Sequence, residues 1–187
     1  MSDPVAQPAN PIEALNQGGV IVYPTEAVFG LGCDPDNQAA VEKLLAIKQR
    51  PIEKGMILIA DSYSRLLPFV NDNAVPPHRR AEIFSSWPGH NTWLLPKSKT
   101  APRWITGEHE KIAVRVTDHP VVKALCERLG KPLVSTSANP SGEPPAQDQQ
   151  QARAYFADSV IYIDGETGAK TRPSTIRDCE TGQIIRD

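Results

Sequence analysis

STIRDCETGQIIR, Ser174 to Arg186, is two short apolar runs separated by the five residues Asp178 to Gly182. A break this short joins antiparallel neighbours, because parallel strands need a crossover of a dozen or more residues. The chain therefore ends on an antiparallel pair. Upstream, strands and helices intermix without a strict βαβ rhythm. Apolar runs at 20–24, 55–60, 92–96, 112–116, 132–135 and 160–164 read as strands. Helices are predicted at 62–70, 75–87, 119–130 and 147–156, with two more near the N-terminus. In the first, Asn10 is the N-cap, Pro11 the opening residue and Gly18 the stop. In the second, Asp36 or Asn37 caps a helix whose Val41, Leu44, Leu45 and Lys48 recur at helical spacing, and Pro51 ends it. The combination predicts an α/β protein with a twisted, open, mixed sheet flanked by helices, rather than a doubly wound parallel sheet.

A chain of 187 residues, 40% apolar, supports one core. Residues 1–9, rich in proline, read as a flexible tail, and 10–187 as a single domain. The longest apolar runs are too short to span a bilayer and the N-terminus lacks a signal peptide's pattern, so a cytoplasmic location with no membrane partner is expected. Cys33, Cys126 and Cys179 are odd in number and widely spaced, which suits buried thiols rather than disulfides or a metal knuckle. The four histidines show no metal-ligand spacing, so no protein-held metal is expected.

The net charge of −2 conceals an asymmetry: between Lys43 and Arg115 there are twelve Lys or Arg and six Asp or Glu. Such a local excess suits phosphate or nucleic acid, or is a solvated surface. Familiar nucleotide and hydrolase signatures are missing. There is no GxxxxGK[ST] and no GxSxG, and the GxG of Gly30 and Gly32 reads as a tight turn after a strand. A triad of Ser135 or Ser137 with His119 and Asp118 is forced; the last two read as a helix cap.

Three features carry chemistry. Lys48, Arg50 and Lys54 cluster where a helix gives way to a strand, either as a polyphosphate site or as a basic helix end favoured by the dipole. Arg115 is a charge within the apolar strand IAVRV, facing water or clamping a carboxylate or phosphate. Ser135, Thr136, Ser137 and Asn139 follow a strand at the place where open α/β sheets bind ligands. Glu26 is a carboxylate to consider for proton or metal duty, or one bonded to backbone.

Taken together, YPTEAVFGLGCDP, KQRPIEKGMILIA, FSSWPGHNTWLLP, VRVTDHP, KPLVSTSANPSGEPP and RPSTIRD resemble the YrdC family of threonylcarbamoyl-AMP synthases, in its short bacterial form, from about residue 10 to the end. The resemblance implies a YrdC-like α/β fold of the type that also binds double-stranded RNA. It implies an enzyme that converts L-threonine, bicarbonate and ATP, with Mg2+ accompanying the ATP, to threonylcarbamoyl-adenylate and pyrophosphate for tRNA modification. Weak tRNA binding and downstream tRNA threonylcarbamoyl-transferase proteins are the implied partners. An RNA-binding module without catalysis is the alternative.

Carried over by position, Lys48 and Arg50 are the implied catalytic pair at the ATP phosphates. Lys54, Thr92, Ser135, Asn139 and Arg186 lie on the nucleotide side; Thr25, Arg115, Ser137 and Ser174 on the threonine side. The chain departs from the family's commoner pattern at Ala27 and Phe29, each lacking a hydroxyl, at His90 and Asn91 in the loop that usually reads PGP, and at Thr117, where proline is frequent.

Overall fold

The structure is a computed structural model that describes residues 10–186; the tail expected at 1–9 lies outside them. Asn10 accepts from the Ile12 amide and Pro11 opens helix α1, Pro11–Asn16. The antiparallel pair β1, Ile21–Pro24, and β2, Phe29–Gly32, follows. Asn37 then caps α2, Gln38–Lys48, through the Ala40 amide, and β3 spans Ile57–Ala60. Next come α3, Arg80–Ser85; β4, Asn91–Pro96; α4, Arg103–Thr106; β5, Lys111–Val116; and α5, Pro120–Leu129. The chain closes with β6, Leu133–Ser137; α6, Gln149–Phe156; β7, Ile161–Tyr162; β8, Thr175–Asp178; and β9, Ile184–Arg186.

The nine strands form one open sheet in the order β7-β1-β2-β6-β3-β5-β4-β8-β9. Three pairs, β7/β1, β3/β5 and β4/β8, are parallel and the other five antiparallel, so the sheet is mixed as expected, and β8 and β9 are the antiparallel end. Its central strands send alternate side chains to opposite faces, while β9 at the edge is exposed. Val22, Leu58, Val114 and Val134 enter the larger core, which also takes Leu44 of α2 and Trp93. Tyr23, Ile59 and Leu133 point the other way, against Leu15 of α1 and Val122 and Leu125 of α5. That second face is covered only in part. Farther along it, Ile57, Ala113, Arg115 and Ser135 line a cavity.

Several expectations change. The GxG is no turn: Gly30 and Gly32 lie in β2, paired with Tyr23 and Ile21 on one side, and Gly30 with Ser137 on the other. The run 62–70 is a 3₁₀ segment, Tyr63–Phe69, since Pro68 within it has no N–H to give an α-helical bond. The segment 75–87 resolves into a 3₁₀ turn, Pro77–Arg79, and the short α3. Helix α4 has no counterpart in the sequence reading. His119 occupies the N-cap of α5, but its side chain makes no capping bond. Cys33, Cys126 and Cys179 are buried free thiols, and burial raises all three, Cys33 to about 12. Among the described residues no helix is long and apolar enough to cross a membrane.

Candidate active site

The cavity has a volume of about 740 Å3. One wall is the end of α2. Gln49 adopts a left-handed conformation (φ 58°), which stops the helix and lets the Arg50 amide bond back to Leu45. Lys48, the last helical residue, is 2% exposed, and its ammonium is threaded into the strand-end loop after β6. It donates to Ser137 O at 2.8 Å, Ser137 Oγ at 3.2 Å, Asn139 O at 3.1 Å and Asn139 Oδ1 at 3.2 Å. Arg50 folds the other way and donates from Nε and Nη2 to Gly55 O, at 3.2 and 3.0 Å. Lys54, one residue before Gly55, is exposed at the cavity rim.

The floor is β6. The strand runs on through Ser137, so Ser135, Thr136 and Ser137 belong to it, and only Asn139 lies beyond. All four line the cavity. The opposite wall holds Ser174, whose Oγ lies 2.7 Å from Thr92 Oγ1, while Arg186 donates to Ser174 O at 3.0 Å. Thr92 is fully buried and stands behind Ser174, outside the cavity lining. At the remaining end Arg115, 5% exposed, reaches in beside Thr25, whose hydroxyl donates to Val28 O at 2.7 Å. Arg115 is thus neither solvated nor unpaired: its Nη1 donates to Glu26. Glu26 bonds side chains rather than backbone. Thr117 donates to it, and His90 Nδ1 lies 3.1 Å away.

Electrostatics distinguish the cavity from the surface. Of the twelve cations between Lys43 and Arg115, Arg65, Arg79, Arg80, Arg103 and Lys111 are ion-paired away from Arg115, and Arg115 is paired with Glu26. Lys48, Arg50, Lys54 and Arg186 have no carboxylate within 4.0 Å among the described residues. Burial, then Arg50, pushes Lys48 down to about 8. Burial lowers Arg50 too, and burial followed by Arg115 and Arg50 lowers Arg186. Cations that depress one another around one void are in want of an anion. Glu26 goes the opposite way: burial would raise it, but the bonds from His90, Thr117 and Arg115 and the charge of Arg115 outweigh that and hold it at about 2.

The site residues expected from sequence, Thr92 apart, are thus brought to one cavity. His90 and Thr117 were visible in the sequence only as departures from a pattern, with nothing to place both beside Glu26. Among the described residues no three His, Cys, Asp or Glu side chains gather as metal ligands.

Comparison with known proteins places the chain in a family. The Sua5/YciO/YrdC family model, described as "Telomere recombination", matches residues 13–187. A threonylcarbamoyl-AMP synthase of Pseudoalteromonas atlantica is 62% identical over 170 residues, 91% of each chain. Another, of Pseudoalteromonas translucida, is 56% identical over 94% of each. Among solved structures, P. abyssi Sua5 complexed with L-threonine superposes with a TM-score of 0.83 at 30% identity, covering 89% of this chain and 49% of that one.

Proposed function

The chain belongs to the Sua5/YciO/YrdC family, and on that premise we infer that it is a threonylcarbamoyl-AMP synthase. It joins L-threonine, bicarbonate and ATP into threonylcarbamoyl-adenylate and pyrophosphate, for N6-threonylcarbamoyladenosine in tRNA. The observation that carries this reading is the convergence of Lys48, Arg50, Arg115, Arg186 and the Ser135–Asn139 row on one cavity of about 740 Å3.

The chemistry follows from the charges. The threonine amine, once deprotonated, condenses with bicarbonate, losing water and giving a carbamate. A carbamate oxygen then attacks the α-phosphate while the bond to pyrophosphate breaks. Such transfers depend on positioning and charge stabilisation. In this reading Lys48 and Arg50 hold the phosphates and stabilise the charge that grows on the departing pyrophosphate. Lys54 and Arg186 add to the field from the rim, and Ser135 and Asn139 donate to phosphate oxygens. Neutral donors of this kind bind oxyanions without adding charge that an empty site would have to neutralise. Arg115 takes the threonine carboxylate, with Thr25, Ser137 and Ser174 around the amino acid and Thr92 holding Ser174 from behind. Mg2+ would come with the ATP and would neutralise charge on its phosphates.

The pairing of most surface cations in the basic segment supports catalysis over an RNA-binding role, since an ion-paired arginine has little charge to offer a phosphate backbone. Contact with tRNA is accordingly weak and dispensable for adenylate synthesis. The labile product passes to proteins that transfer the group to tRNA, in the cytoplasm, where ATP and free thiols such as Cys33 are at home. The test is to incubate the protein with ATP, bicarbonate and single amino acids and to measure pyrophosphate. Release that needs L-threonine and bicarbonate is expected. Equal release without an amino acid, or none at all, overturns the reading.

A further inference from the structure

The contacts behind Arg115 form one connected set assembled from distant parts of the chain. Glu26 sits in the turn between β1 and β2. Its Oε2 accepts from Arg115 Nη1 and lies 3.1 Å from His90 Nδ1; its Oε1 accepts from Thr117 Oγ1. His90 Nε2 lies 2.5 Å from the Arg172 carbonyl oxygen, two residues before Ser174. The Glu26 carbonyl is held as well, by the Lys170 amide at 3.0 Å. His90 and Thr117, 27 residues apart in the chain, thus meet on opposite oxygens of one carboxylate.

Glu26 and Thr117 do not line the cavity, whereas Arg115 does. Only Nη1 of Arg115 is engaged; Nε and Nη2 make no hydrogen bond among the described residues. The carboxylate therefore stands behind the guanidinium and leaves part of its donor fork free. We propose that Glu26 is a positioning residue for Arg115, and that His90 and Thr117 fix Glu26 so that the free donors of the guanidinium are aimed at the substrate carboxylate. The proposal rests on the synthase reading, in which Arg115 receives that carboxylate.

The physical argument is preorganisation. A guanidinium is planar, so fixing one nitrogen fixes the direction of the others, and a clamp already aimed loses less freedom on binding. A buried arginine without a partner carries a desolvation cost, and Glu26 offsets it. The Glu26 carboxylate itself is satisfied on both oxygens, which keeps it ionised and in place. A competing arrangement, in which Glu26 imitates the substrate and must be displaced, predicts the opposite sign: removing its charge would tighten threonine binding.

The experiment is calorimetric titration of L-threonine and, separately, ATP into the wild-type protein and the variants Glu26→Gln, Arg115→Ala and their combination. Glu26→Gln is expected to weaken threonine about tenfold or more and to leave ATP within about twofold, since the lost contact is charge-assisted. In the Arg115→Ala background the same change is expected to have less than about a twofold effect, because residues acting through one partner are not additive. Threoninol, which lacks the carboxylate, should bind wild type and Glu26→Gln about equally. Thr117→Val, which removes the donor at nearly constant volume, should weaken threonine about threefold to tenfold, and Thr117→Ser should restore it. Unchanged or tighter threonine binding by Glu26→Gln, an equal loss of ATP, or full additivity with Arg115→Ala overturns the assignment alone. A wild-type protein that binds no threonine overturns the synthase reading and this assignment with it.

Discussion

ATP affinity should fall as pH rises through 8, because Lys48 must be charged to hold phosphate. Lys48 is 2% exposed, and burial with Arg50 nearby lowers its ammonium from 10.5 to about 8. A bound polyphosphate supplies the anion that the cavity lacks and returns Lys48 toward its ordinary value. Full return corresponds to about 3 kcal/mol of coupling between one proton and the nucleotide. Binding then takes up a proton above pH 8, and the apparent Kd for ATP should rise about eightfold between pH 7.5 and pH 9. Calorimetry with magnesium in excess measures this directly. Lys48→Met removes the titrating group, so its weaker binding should be flat over the same range. The sign for stability is opposite: the unfolded chain holds the extra proton between pH 8 and 10.5, so the ligand-free protein should gain stability across that window. A wild-type Kd that does not move with pH, or a Lys48→Met variant with the same slope, refutes the reasoning.

Other outcomes follow from the same geometry. Arg115→Ala should weaken threonine binding by about 1.5–3 kcal/mol, roughly tenfold to 150-fold, and ATP much less, by calorimetry. Glu26 is held at about 2 against an ordinary 4.5, so its stabilisation is complete above pH 4.5 and is lost as pH falls toward 2. Urea unfolding across that window should show Glu26→Gln about 3 kcal/mol less sensitive to acid than wild type. Gly107 has φ 63°, and a Cβ there would lie 2.3 Å from the Glu53 carbonyl oxygen. Gly107→Ala should therefore cost about 2–4 kcal/mol and lower Tm by roughly 4–16 °C in a scan; a change under about 2 °C would contradict the packing.

The mixed sheet was legible because its signals are local: apolar runs, caps at Asn10 and Asn37, and the short Asp178–Gly182 link. Strand β2 was not, because its sequence, Phe-Gly-Leu-Gly, is poor in strand formers. Its glycines answer to a tertiary demand instead. The Tyr23 ring crosses the strand and its hydroxyl donates to Val134 O at 3.1 Å. A Cβ on Gly32 would lie 2.6 Å from both Tyr23 Cε1 and Val134 O. The 3₁₀ path of Tyr63–Phe69 shows the same limit in reverse, an apolar helical pattern interrupted by one proline. At the site, Lys48, Arg50 and the Ser135–Asn139 row announced themselves by clustering in sequence. Arg115 and Glu26 were singled out separately, but their meeting with each other and with His90 and Thr117 was hidden, because Glu26 lies 64 to 91 residues from the other three.

The most direct test of the account is RNA-free synthesis of threonylcarbamoyl-adenylate, followed by mass spectrometry in wild type and in the Lys48→Ala/Arg50→Ala double variant, each with its Tm. Wild type should form the adduct from ATP, bicarbonate and L-threonine, and the folded double variant should not, because charge on the phosphates loses its stabilisation. A folded double variant that keeps full synthesis without RNA would contradict the placement of the reaction in this cavity.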